Sequence, residues 1–187
     1  MVDKNKLGMG LFLASETVFF LILILAFIYF RGIWSNGPGP NPADHLNPLV
    51  TGLFSLALFS SSGTVWFAER SAARGKHTYQ LGGLLLTILL GIIFLVGQGI
   101  EYANLFRSQV TISQNLFGTT FFTLTGFHAL HVTVGLLMLA IVLGLSVKDG
   151  QKSTHQTSVA PIALYWHFVD IVWVVIFSVI YLSTLLL

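Results

Sequence analysis

The sequence predicts an all-α fold: a polytopic membrane bundle of five transmembrane helices with the N-terminus inside and the C-terminus outside. Three observations predict it. The composition is 55% apolar and 9% charged, with a mean hydropathy of +0.83, whereas soluble domains carry about 25% charged residues. Five apolar stretches lie near 7–30, 48–69, 79–106, 115–147 and 159–186, each long enough to cross about 30 Å of hydrocarbon at about 20 residues per span. Lys4, Lys6, Arg70, Arg74, Lys76, Lys148 and Lys152 collect on the N-terminal side of these stretches, against only Arg31 and Arg107 on the other. That bias sets the orientation.

The first stretch follows Lys4 and Lys6 and ends at Arg31 without a small-residue cleavage site. It outlasts the 7–15-residue apolar core of a signal peptide, so it is read as a span. The segment RGIWSNGPGPNPADHLNP that follows holds four of the five prolines and cannot continue a helix, which makes it an ordered or semi-rigid external loop. Pro48 and Pro161 suit the starts of the second and fifth spans, where a missing N–H costs nothing. Ser60, Thr64 and Ala68 recur every four residues on the second span, and Gly83, Thr87 and Gly91 on the third, a spacing that lets membrane helices approach closely. No polar segment is large enough for a separate soluble module, so 1–187 reads as a single membrane domain. No internal repeat points to an inverted-repeat transporter.

Whole classes of function are excluded. There is no cysteine, hence no disulfide, thiolate nucleophile, iron–sulfur cluster or sulfur-ligated metal. The basic residues sit at segment ends and form no patch, so nucleic acid is not a partner. No phosphate loop or nucleophile elbow is present.

The polar groups inside the spans are Glu16, Gln98, Glu101, His128, His131, His167 and Asp170. Lipid offers no hydrogen bonds, so each must find a partner on another helix, and each is either a structural pin or a functional group. No Asp, Glu, Lys or Arg interrupts Asn115–Val147, yet that run carries His128 and His131 in TGFHALHVTVG. A rise of about 1.5 Å per residue puts Glu16 roughly 13 Å from the inner end of its span, and His131, His167 and Asp170 at comparable depth. Phe12, Phe19 and Phe20 flank Glu16. A carboxylate there should be neutral or paired, and depth nominates His131 as its partner, with His128 second. Gln98 and Glu101 fall near the outer interface, where Glu101 is either a solvated helix end or a structural hydrogen-bond acceptor. Two or three histidines with Glu16 or Asp170 could hold a non-haem metal, and His128 or His131 facing His167 could hold haem. Two rival classes therefore stand beside a cofactor-free bundle: a self-contained haem or metal redox protein, and a small proton-conducting transporter built on Glu16.

The blocks LGMGLFLASETVFF, LNPLVTG, GQGIEY, TGFHALHVTVG and YWHFVDIVWVVIF, in this order, resemble subunit III of the haem–copper terminal oxidases over nearly the whole chain. Larger members of that family have seven helices, and this chain resembles the five-helix bacterial form. The lipid-filled cleft between the first two helices and the other five is therefore not carried over. The resemblance implies an accessory subunit of a proton-pumping respiratory oxidase, multi-pass in the bacterial cytoplasmic membrane and without a redox centre of its own. It implies direct packing on subunit I, association with subunit II and small subunits, haem and copper held by those partners, and bound phospholipid. It also implies support for proton uptake and active-site stability. Glu16 matches the family's membrane-embedded carboxylate, and His128, His131, His167 and Asp170 fall in its signature blocks. The resemblance favours a cytochrome c oxidase; subunits of quinol oxidases and a relative associated with nitric oxide reductase are the alternatives.

Overall fold

The structure, a computed structural model, describes residues 4–34, 46–112, 116–149 and 156–182. These form α1 (Lys4–Trp34), α2 (Pro48–Ala73), α3 (His77–Arg107), α4 (Leu116–Asp149) and α5 (Gln156–Phe177), the last running on into one π turn, Ser178–Leu182. Among the described residues there is no strand. All five helices contain a stretch long and apolar enough to cross a membrane. Most of the external loop predicted between α1 and α2, and the end of the fifth span beyond 182, lie outside the described residues.

Helix ends follow local chemistry. Asn47 caps α2, its side chain accepting from the Val50 N–H at 3.2 Å, with Pro48 in the first turn as expected. Pro161 is a correction. α5 begins at Gln156, so the proline lies inside the helix and not at its start. Its ring removes the hydrogen bond to the carbonyl four residues back and crowds that carbonyl, while Val159 and Ala163, both buried, hold the turn on either side of it.

The α2–α3 turn closes at Gly75. Lys76 N–H donates to the Ser71 carbonyl at 2.9 Å and Gly75 N–H to that of Ala72 at 3.0 Å, the paired bonds of a Schellman cap. The residue between helix and exit must take a left-handed conformation, and glycine does so at φ 68° without a Cβ penalty.

α2 and α3 pack closely because α3 is bare where they meet. A Cβ on Gly83 would sit 2.9 Å from that of Ala68 and 3.0 Å from the Thr64 carbonyl, and the Thr64 and Thr87 hydroxyls bond at 2.7 Å. The small-residue rows thus meet in part. Ser60 is exposed and bonds back to Leu56, and Gly91 turns to α4 and α5 instead. The other packed pairs are α3 with α4, α4 with α1 and α5, and α5 with α1 and α2.

Trp166 of α5 is the centre of this arrangement. Its ring is fully buried, and it fills the space left by Gly91 on α3 and Gly135 on α4, where a Cβ would come within 2.9 Å and 2.8 Å of it. Its indole N–H donates to Ser61 Oγ of α2 at 2.8 Å. One side chain therefore touches three helices. The glycine that ends TGFHALHVTVG exists to seat the tryptophan of YWHFVD.

Candidate functional site

Among the described residues, the seven polar groups singled out in the spans fall into three separate clusters and leave one histidine alone. The first joins α1 to α4. His131 Nε2 lies 3.0 Å from Glu16 Oε2, with the side chains 13% and 20% exposed. Among the described residues His131 is the single hydrogen-bond partner of Glu16. His131 Nδ1 lies 2.7 Å from the Phe127 carbonyl. A carbonyl can only accept, so Nδ1 carries a proton. Nε2 then either accepts from a protonated Glu16 or, protonated itself, donates to the carboxylate. In both forms the pair carries one shared proton and no net charge, which is what an apolar setting tolerates. Phe19 and Phe20 pack on the imidazole at centroid distances of 6.3 and 4.8 Å, and Tyr165 donates to the His131 carbonyl at 3.0 Å. The α1–α4 pair expected from depth is thus formed by His131 and not by His128.

The second cluster joins α2 to α5. The Ser62 hydroxyl donates to Asp170 Oδ2 and lies 3.0 Å from His167 Nδ1. Its single proton is used on the carboxylate, so it accepts from His167 Nδ1–H. Two indoles bracket this site: Trp166 on Ser61, and Trp173 donating to Ser55 Oγ at 2.8 Å. As residue numbers rise on α5 they fall on α2, so the helices are antiparallel and are pinned by three serines.

The third cluster surrounds Glu101, which of its two readings takes that of a structural hydrogen-bond acceptor. Glu101 is 7% exposed. Its Oε1 accepts from Thr51 at 2.7 Å, and its Oε2 from Tyr181 at 2.5 Å and Gln98 Nε2 at 3.3 Å. The start of α2 and the end of α5 fold over the end of α3, so what lies near a helix terminus in sequence is interior in space. Gln98 belongs to the same cluster, although its Oε1 has no partner.

His128 is 1% exposed, and among the described residues neither ring nitrogen has a partner. It stacks on Trp173 at 4.8 Å and 24°, with Phe94 edge-on at 5.9 Å. The expectation that each polar group of the spans finds a partner on another helix is not met at His128 among the described residues. Three residues of helix leave His128 and His131 about 60° apart around the axis, so His131 faces α1 while His128 faces α3 and α5. The four groups placed at one level are therefore divided among different helix pairs. His131 and His167 turn to different helices, so no facing pair of imidazoles forms. Among the described residues no three His, Cys, Asp or Glu gather in a way that could hold a metal.

Sequence reasoning missed Ser55, Ser61, Ser62, Thr51 and Tyr181 as acceptors and donors, and Trp166 and Trp173 as their counterparts. The available signal was spacing: two tryptophans seven residues apart on α5, opposite serines six residues apart on α2.

Comparison with known proteins agrees with the blocks these clusters occupy. A family model described as cytochrome c oxidase subunit III matches residues 1–184. Cytochrome c oxidase subunit 3 of Synechocystis sp. is 38% identical over 181 residues, covering 96% of this chain and 76% of that protein. The protein of the same name from Corynebacterium diphtheriae is 39% identical over 178 residues, covering 94% and 86%. That from Mus musculus is 35% identical over 187 residues, covering 97% and 70%. With a match that runs the length of the chain at this identity, the chain belongs to the cytochrome c oxidase subunit III family.

Proposed function

We propose that this chain is the accessory subunit III of a proton-pumping cytochrome c oxidase in a bacterial cytoplasmic membrane, oriented with its N-terminus inside and its C-terminus outside. It is a single membrane domain without a redox centre of its own. It packs directly on subunit I, associates with subunit II and smaller subunits that complete the complex, binds phospholipid, and supports proton uptake and the lifetime of the active site. The match over residues 1–184 carries the oxidase reading. The cofactor-free reading is supported by the imidazoles: both nitrogens of His131 are engaged, His167 is held by Ser62, and His128 is enclosed by aromatic rings.

Within that role the three clusters are mainly structural. Glu16 and His131 hold α1 on α4, and their shared proton makes a part in proton delivery to subunit I a secondary consequence of the same geometry. The test is purification of the tagged chain from native membranes. A haem-containing complex with cytochrome c oxidase activity is expected, and the chain released from it should show no haem band. A haem spectrum that stays with the released chain and is lost on replacing His131 or His167 would overturn the reading. Orientation is tested with single cysteines in this cysteine-free chain, where labelling at Gly75 by an impermeant reagent from outside intact cells would reverse it.

A further inference from the structure

At the end of the bundle that carries the α2–α3 turn, a surface groove of about 250 Å³ runs between these two helices, lined by Gly63, Thr64, Phe67, Tyr79, Gly82 and Leu86 among others. Two of its glycines, Gly63 and Gly82, differ from the third, Gly83. A Cβ on Gly83 would strike Ala68, but Gly63 and Gly82 have nothing within 4 Å of where a Cβ would stand. Helix packing does not require them, and glycine inside a helix costs stability. What they leave is an open, apolar channel on the membrane-facing surface. At the turn end of the channel stand Arg70, Arg74 and Lys76, all exposed. None is paired with a carboxylate among the described residues, where Glu16–His131 is the one ion pair. Two are held by aromatic rings: the Arg70 guanidinium lies 5.0 Å over Trp66 and the Lys76 ammonium 5.8 Å over Tyr79. Tyr79 is at once a wall of the groove and the support of a cation at its mouth.

An apolar channel along the spans that ends in three unpaired cations and two interfacial aromatics is complementary to one kind of molecule, a chain with an anionic head. We propose that this groove binds an anionic phospholipid, with one acyl chain lying over Gly63 and Gly82 and the phosphate between Arg70, Arg74 and Lys76. The site rests on the reading of the chain as a membrane-spanning oxidase subunit, and it gives the lipid binding proposed for it a definite place and headgroup charge. Juxtamembrane Lys and Arg attract anionic lipid additively, so three together should favour it over zwitterionic lipid by at least about tenfold.

The test uses the intact oxidase complex in mixed micelles containing either phosphatidylglycerol or phosphatidylcholine with a photoreactive group on one acyl chain. Expected is crosslinking to the α2 and α3 segments around Gly63 and Gly82, at least about tenfold greater with phosphatidylglycerol. The variant R70Q/R74Q/K76Q should keep acyl crosslinking and lose the headgroup preference. Gly82→Leu, whose side chain enters open space and so leaves the fold intact, should lose both. Equal labelling by the two lipids in the native complex, labelling unchanged by Gly82→Leu, or a groove covered by another subunit and unlabelled would each overturn the site. Those results leave the subunit reading standing, since it fails instead if the chain does not purify with a haem-containing complex.

Discussion

Glu101 and Glu16 are the same side chain placed in the same kind of bundle, and the fold treats them in opposite ways. Glu101 is 7% exposed and receives three side-chain donors from three helices. Among the described residues Glu16 has one hydrogen-bond partner, and its side chain is 20% exposed. In lipid a carboxylate with several fixed donors is a permanent joint, since moving it would strand every donor. One with a single imidazole and an open side is a joint that can take a further partner. The contrast extends to the helices. α5 is fastened to α2 by three serines, to α3 by Tyr181 and to α4 by the Trp166 seat. α1 is the least buried span, and among the described residues Glu16–His131 is the ion pair that ties it to α4. The surface that α1 and α4 leave open is where this chain has most to gain from a neighbouring subunit.

The fastened half should yield the largest effects. Trp166→Ala empties the space that Gly91 and Gly135 shape and leaves Ser61 without its donor. A loss of about 3–5 kcal/mol is expected, read as release of this subunit from the oxidase at a lower temperature in a detergent thermal ramp. Survival of the complex with an unchanged transition would mean that the ring does not organise three helices. Next is Glu101→Leu. Thr51 can turn to the Asn47 carbonyl, which it already reaches at 3.1 Å, but Tyr181 and Gln98 lose the acceptor they share, at about 1–3 kcal/mol for each. Glu101→Gln keeps an acceptor in place and should cost visibly less. Equal losses for the two variants would show that negative charge, and not acceptor geometry, holds the cluster.

The two halves were also unequally legible in the sequence. Glu16 and His131 could be matched because each is a rare ionisable group, and a rise of 1.5 Å per residue is enough to compare depths. Five spans followed from length and composition for the same reason: lipid imposes one dimension strictly. Rotation about each helix axis is not imposed. Lipid and protein core are both apolar, so no polar face marks which side of a membrane helix is inward. His128 was therefore read with His131 although it faces elsewhere. Ser61 and Ser62, abundant and weakly polar, could be taken as packing residues when they are the acceptors of Trp166 and His167. Glu101 was left between two readings because depth along its own helix says nothing of Tyr181 reaching it from beyond α5.

The open half should show smaller effects with a distinctive pattern. Glu16→Leu and His131→Leu each leave the other, half-buried partner unpaired, at no more than about 1–3 kcal/mol. The double variant strands neither and should cost less than the sum, with a coupling of at least about 0.5 kcal/mol. Retention of the subunit by the oxidase in detergent, measured across the four proteins of the cycle, gives that coupling. Additive losses would mean that the 3.0 Å contact carries no net interaction and that α1 is held by its apolar packing alone.

The smallest effect is expected at the residue that the sequence makes most conspicuous. His128 is only 1% exposed, but among the described residues its ring nitrogens have no partner, so nothing is left stranded by replacing it. What it contributes is a flat ring between Trp173 and Phe94. His128→Phe keeps the ring and its stacking, and it removes two polar atoms whose burial without hydrogen bonds opposes folding. The slightly larger ring costs something in a close-packed site. The two terms oppose one another, and the net change should stay within about 1.5 kcal/mol of the native protein. The same substitution at His131 breaks the Glu16 pair and should cost more in the same thermal ramp. The order of these two variants is the finest test of the contrast between them: His131 acts through its nitrogens and His128 through its face. If His128→Phe proved the more damaging, the His128 nitrogens would have to be bonded in the assembled oxidase, and the bonded histidines of this bundle would number one more than the isolated chain makes.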